Sequence, residues 1–73
     1  SKLDIINKIL LELGLNLNNL AFIGDDINDL PLIQNVFSAC PSDAVQTIKD
    51  HSTYICKKKG GKGCVREFIE FIS

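Results

Sequence analysis

The sequence predicts an α/β fold, a parallel sheet with helices on both faces, from three observations. Stretches whose apolar residues recur at helical spacing alternate along the chain with short apolar runs. Gly, Pro and Asp clusters punctuate the ends of those runs. Finally, Gly24 and the three carboxylates Asp25, Asp26 and Asp29 directly follow the first run, where open α/β sheets collect their ligands. The order helix, strand, helix, strand, helix, strand, helix is that of parallel strands joined by helical crossovers. Three short strands make a thin sheet with open edges. The chain therefore reads as part of a larger domain.

Each element has its own warrant. Ser1 is a helix N-cap candidate, and with Asp4 it matches the short capping-box pattern. Leu3, Ile6, Ile9, Leu10 and Leu13 then recur at steps of three and four, and Gly14 is the expected stop. Lys8 and Glu12 fall on the outer face, and Lys2 in the first turn reads as an exposed lysine. The Asn-rich stretch 15–19 is a connection into a strand over Leu20–Gly24. Asn28-Asp29-Leu30-Pro31 starts a short helix ending near Asn35, with Pro31 acceptable in the first turn. Val36 to Cys40 is the second strand, and Pro41-Ser42-Asp43 ends it. Ser42 or Asp43 is expected to cap a helix through about Lys49, with Ala44, Val45 and Ile48 inward. Ser52 to Cys56 is the third strand. The last helix, Cys64 to Phe71, sets Val65, Phe68, Ile69 and Ile72 on one face, with Arg66, Glu67 and Glu70 outside.

Composition bounds the rest. Seventy-three residues allow one small domain, whose core is marginal without disulfides, a metal or a partner chain. A hydrophobic share of 45% argues against disorder. A net charge of −1 gives no mark of a nucleic-acid or membrane binder. No apolar run approaches a membrane span or fits a signal peptide, so the expected location is cytoplasmic. Cys40, Cys56 and Cys64 are odd in number and widely spaced, unlike a disulfide framework or a zinc site. They read as buried thiols in a reducing compartment, and His51 with Cys56 makes a poor metal pair.

The carboxylate cluster carries the chemistry. Acidic groups crowded at a strand end repel one another and call for a cation or a catalytic task. Hard oxygen donors with room for water and phosphate suit Mg²⁺. The competing reading is ordinary turn chemistry, in which Asp caps a helix and Gly supplies an unusual backbone angle. An EF-hand fails, because Ile27 or Leu30 would fall on ligand positions and no glycine on the sixth. Lys57-Lys58-Lys59-Gly60-Gly61-Lys62-Gly63 is a basic loop. It is either a solvated linker or a loop whose amides and lysines approach an anion. It is no P-loop, since the Gly-x4-Gly-Lys-Ser/Thr pattern is missing.

Taken together, these residues resemble a known family. Gly24-Asp25-Asp26-Ile27-Asn28-Asp29-Leu30-Pro31 is similar to the fourth motif of haloacid dehalogenase-like hydrolases, and Ser1-Lys2-Leu3 to their lysine-bearing third motif. Gly60-Gly61-Lys62-Gly63-Cys64-Val65-Arg66-Glu67 resembles the tail of their capless branch, the octulosonate 8-phosphate and nonulosonate 9-phosphate phosphatases. The resemblance runs through the whole chain in order. It implies a Rossmannoid sheet and a Mg²⁺ cofactor. It implies an aspartate nucleophile that forms an aspartyl-phosphate, and a second aspartate acting as acid and base. It assigns Asp25 and Asp26 to the metal, Lys2 to neutralising the nucleophile and phosphoryl oxygens, and Asp29 to supporting the lysine or the metal's water shell. Gly60, Gly61, Lys62 and Arg66 would meet a sugar carboxylate or phosphate, in a homotetramer whose tail reaches a neighbouring subunit. Lys62 stands where the branch has arginine and keeps charge without the bidentate fork, while Cys64 replaces a small alanine.

The resemblance also exposes a gap. The Asp-x-Asp nucleophile motif and the second-motif Ser or Thr are absent from these residues. The expectation is a C-terminal portion of one such domain, competent only with its N-terminal half. The substrate would be a phosphate monoester of a 2-keto-3-deoxy sugar acid, in lipopolysaccharide or sialic acid biosynthesis. A different class of function is a non-catalytic oligomerisation domain fused to an acylneuraminate cytidylyltransferase. A third is a receiver-like or phosphate-binding module. Three retained carboxylates favour the enzyme.

Overall fold

A computed structural model describes residues 2–73, so Ser1 and its expected capping role lie outside the described residues. Strands β1 (Ala21–Ile23), β2 (Phe37–Cys40) and β3 (Tyr54–Ile55) form one parallel sheet in the order β1-β2-β3. Ala21 pairs with Phe37 and Ala39 with Tyr54. Each strand nests inside the expected run, and the ladder outlasts the strands. Gly24 N–H donates to the Ala39 carbonyl at 3.1 Å and Cys56 N–H to the Cys40 carbonyl at 2.8 Å. Helices α1 (Lys2–Glu12), α2 (Leu30–Ile33), α3 (Gln46–His51) and α4 (Cys64–Ile72) supply the alternation.

Strand side chains alternate between the two faces of the sheet. Phe22 and Cys40 meet Ile33 of α2 and Ile48 of α3 on one face. Ile23, Ala39, Tyr54 and Cys56 meet Cys64 and Phe68 of α4 on the other. Helices thus cover both faces, as a parallel sheet requires. Ser38 is the buried polar residue of β2, and it is satisfied: its Oγ–H donates to the Ile33 carbonyl at 3.0 Å.

Four expectations are corrected. The stretch 15–19 is not wholly irregular, because Leu17–Asn19 forms a 3₁₀ helix with Asn16 and Asn19 completing a capping box. The helix after Pro41 begins only at Gln46, with no side-chain cap, and Val45 is exposed. The Asp43 carboxylate is engaged elsewhere, accepting the Gly60 N–H at 2.9 Å. On α1 only Leu10 is buried, while Ile9 and Leu13 are open to solvent. That helix packs chiefly on α2, with Leu3 and Ile6 half-buried beside Leu10.

The fourth correction matters most. With Val65, Ile69 and Ile72 exposed, the α4 residues that engage the sheet are Cys64, Glu67, Phe68 and Phe71, the last through its ring on Tyr54 while still 53% exposed. These four share the i, i+3, i+4, i+7 spacing, so the inward stripe is rotated about one residue from the expected one. Aromatic stacking fixes that rotation. Phe68 lies 6.0 Å from Phe37, and Phe71 lies 4.0 Å from Tyr54, with near-parallel rings.

Candidate functional site

The site is built from the end of β1 outward. Gly24 leaves the strand in close approach to its surroundings. An added Cβ would stand 2.6 Å from Phe22 Cε2 and 2.8 Å from Asp29 Oδ2. Glycine is needed here for space, since its backbone angle is ordinary. The chain then turns through Asp25 and Asp26 into a 3₁₀ turn, Ile27–Asp29, that runs directly into α2 with Pro31 in its first turn.

The three carboxylates do different things. Asp26 caps the 3₁₀ turn, its Oδ1 accepting the Asn28 N–H at 3.0 Å. Asp29 is buried and forms an ion pair with Lys2 Nζ, which reaches it from the first turn of α1. The hydrogen bond from Lys2 to Asp29, then the charges of Asp29 and Asp26, raise the lysine pKa above its ordinary value against the opposing pull of desolvation. Lys2 is therefore a fixed cation at neutral pH. Asp25 remains exposed, and it borders a cleft of about 190 Å³ beyond the carboxyl ends of β1 and β2. Gly24, Pro41, Gly60, Gly61 and Cys64 line the same cleft.

Opposite Asp25, the basic loop is anchored. Glu67 Oε2 accepts the Tyr54 hydroxyl at 2.6 Å and the Lys57 N–H at 2.9 Å, and its Oε1 accepts the Lys58 N–H at 2.9 Å. The Tyr54 hydrogen bond, then the backbone amides, hold the Glu67 carboxyl below its usual range. The same hydrogen bond and burial push the Tyr54 pKa up to about 12. Gly61 and Gly63 carry positive φ angles of 74° and 102°, which lets the loop turn tightly into α4.

Not every expected residue reaches the cleft. Lys62 is exposed and does not line it. Arg66 is 86% exposed and its Nε pairs with Glu70 at 3.2 Å. His51 is exposed, with Nδ1 2.9 Å from the Thr47 carbonyl, and all three cysteines are buried and free. Asp43 and Glu67 are the residues that sequence reasoning missed. Helical spacing holds one faint signal, since Glu67 shares a face with Cys64 and Phe71.

Among the described residues no three Asp, Glu, His or Cys side chains converge to hold a metal ion. The donor chemistry still fits a partial site. Asp25 offers an open oxygen ligand of the kind Mg²⁺ takes, exposed Asp26 spends its Oδ1 on the cap, and Asp29 is held in the ion pair with Lys2. A larger groove, about 550 Å³, lies at the other end of the sheet between Leu20, Ala21, Phe37 and Phe71. It is lined by no titratable side chain, whereas the smaller cleft is bordered by Asp25.

A parallel sheet with an acidic turn at its carboxyl edge and a lysine held against that turn defines an α/β protein with a charged cleft at the usual ligand edge. The chain belongs to the haloacid dehalogenase-like hydrolases, whose family model matches residues 1–69. The relatives it matches include phosphatases and a cytidylyltransferase. It is 41% identical over 66 residues to phosphoglycolate phosphatase 1 of Saccharolobus solfataricus, covering 89% of this chain and 28% of that protein. It is 30% identical over 73 residues to the 3-deoxy-D-manno-octulosonate 8-phosphate phosphatase KdsC of Escherichia coli, covering 99% of this chain and 39% of that one. It is 33% identical over 72 residues to N-acylneuraminate cytidylyltransferase A of Danio rerio, covering 97% of this chain and 17% of that one. Among solved structures, a probable YrbI family phosphatase from Pseudomonas syringae superposes with a TM-score of 0.92 at 38% identity. That superposition covers 97% of this chain and 41% of the other. The chain thus spans well under half the length of each of these proteins.

Proposed function

We propose that this chain is the C-terminal part of a Mg²⁺-dependent phosphatase acting on a phosphate monoester of a small carboxylic sugar acid. The observation that carries this reading is the meeting of Asp25, the Lys2–Asp29 pair behind Gly24 and the Gly60–Gly61 turn at one end of the sheet. An aspartate from outside this chain would take the phosphoryl group, and water would then release phosphate. Lys2 would steady the charge that gathers on the phosphoryl oxygens. Asp25 would be the chain's metal ligand, and the bound Mg²⁺ would supply Lewis-acid polarisation of the phosphoryl oxygen. The backbone at Gly60 and Gly61 lines the cleft, and with the positive charge of the neighbouring loop lysines it would suit a substrate carrying both carboxylate and phosphate. Similarity along the whole chain to KdsC supports a 2-keto-3-deoxy sugar acid, an octulosonate 8-phosphate or nonulosonate 9-phosphate. Lys62 and Arg66 are exposed, Arg66 beside its Glu70 partner, and would meet a neighbouring subunit in a tetramer.

The test uses the complete protein carrying this chain. Phosphate release from 3-deoxy-manno-octulosonate 8-phosphate, N-acylneuraminate 9-phosphate and phosphoglycolate should require Mg²⁺ and stop with EDTA. Asp25→Ala should lower kcat by about a hundredfold or more while the melting temperature stays put, because Asp25 is exposed. Metal-independent hydrolysis, or an active Asp25→Ala variant, would remove Asp25 from the metal site. The Danio rerio relative favours a second reading, a non-catalytic assembly domain behind a cytidylyltransferase. On that reading no ester is hydrolysed, and changing exposed Val65, Ile69 and Ile72 alters only the oligomer.

A further inference from the structure

The loop that carries Gly60 and Gly61 has more anchors than a linker needs. Both oxygens of Glu67 are filled, by the Tyr54 hydroxyl and the backbone N–H groups of Lys57 and Lys58. The Lys58 carbonyl accepts the Ser42 N–H at 2.9 Å, and the Gly60 N–H donates to Asp43 Oδ1 at 2.9 Å. The backbone from Lys57 to Gly60 is therefore tied to α4 through Glu67, which Tyr54 of β3 also bonds, and to the loop after β2. No side chain within that stretch makes these ties; the carboxylates come from outside it. The tied stretch ends where Gly60 and Gly61 enter the cleft beside Asp25.

We propose that Glu67, with Asp43 as its second anchor, is a positioning residue that holds the 57–61 backbone in the substrate-ready arrangement. The anion it serves is the part of the substrate away from the reacting phosphorus, a carboxylate. This rests on the phosphatase reading above. Rigidity is the physical gain. Three consecutive lysines and two glycines in a free loop would lose their conformational freedom on each binding event, and the anchors remove most of that loss in advance. Glu67 does not line the cleft, so it holds the loop without contacting the ligand.

The experiment compares two esters in the complete protein carrying this chain. Glu67→Gln keeps the size of the side chain but cannot accept all three donors. It should raise KM for the octulosonate 8-phosphate about tenfold or more, leave kcat within about twofold, and leave KM for p-nitrophenyl phosphate unchanged, because that ester lacks the carboxylate. Tyr54→Phe retains both backbone hydrogen bonds and should keep KM near wild type. An unchanged KM in Glu67→Gln, or an equal loss with both esters, overturns the proposal and leaves Glu67 a stabilising residue only. If Glu67→Gln fails to fold, Asp43→Ala must show the same selective rise in KM, since Asp43 is exposed, and an unchanged KM there overturns it. If the wild-type protein hydrolyses neither ester, the phosphatase reading falls. The anchoring is then judged by titrating unphosphorylated 3-deoxy-octulosonate against the Gly60 and Gly61 amide signals. Tenfold weaker binding in Glu67→Gln sustains it, and equal binding overturns it.

Discussion

Gly24→Ala is the most revealing single change available in this chain. The added methyl would meet Phe22 at 2.6 Å and the Asp29 carboxylate at 2.8 Å. Carbon atoms rest about 3.5–4.0 Å apart, so one contact must open by roughly 1 Å. Neither neighbour gives way freely. Phe22 packs against the cluster of Ile33, Cys40 and Ile48, and Asp29 is 6% exposed and held by Lys2. Overpacking of this kind costs about 1–3 kcal/mol. Moving a site carboxylate by about 1 Å is expected to lower kcat by about 10- to 100-fold. Urea unfolding of the complete protein, followed by circular dichroism, gives the first quantity, and initial rates of phosphate release give the second. Gly14→Ala is the internal control. Its φ is +73° with nothing within 4 Å, so it should cost about 1 kcal/mol in stability through backbone strain alone and leave kcat unchanged. A Gly24→Ala protein with wild-type kcat and stability within about 0.5 kcal/mol would refute the reasoning. It would mean that Phe22 and Asp29 are not held where the structure has them.

Two further outcomes are expected. Phe68→Ala should cost about 3–5 kcal/mol, since the ring is 4% exposed and stacks on Phe37 and Tyr54, and a loss below about 1 kcal/mol in urea unfolding would show α4 unseated. Stability should also follow the anchoring carboxylates with pH. Tyr54 lowers the Glu67 pKa below 4.5 and the Gly60 amide lowers the Asp43 pKa below 3.8. Their contribution is therefore complete above those values and is lost as pH falls through the lower folded ones. Melting temperatures of Glu67→Gln should decline less steeply than wild type below about pH 4.5, and superimposable acid limbs would contradict the anchoring. Tyr54 acts at the other end, its contribution complete below pH 10.0 and lost as the pH rises toward 12.

The sequence by itself determined the sheet, its helices and the acidic turn. Those features rest on short-range signals: apolar spacing along α1, the punctuation at Pro41, and Gly24 followed by Asp25. Family resemblance named Lys2 and Asp29 together, and the fold brings the two side chains into an ion pair across 27 residues. What the tertiary structure alone decided is the partnership of side chains whose helical faces were ambiguous. Val65, Ile69 and Ile72 look as apolar as Phe68 in one dimension, and only ring stacking on Phe37 and Tyr54 chooses the rotation of α4. That rotation brings Glu67 off the expected outer face and onto the loop amides. Asp43 was drawn from helix capping in the same way, because the Gly60 N–H offered a donor that no local spacing announces. Local patterns report what a residue favours among its near neighbours. Which of two acceptable donors a carboxylate takes is settled by chain segments that meet only after folding.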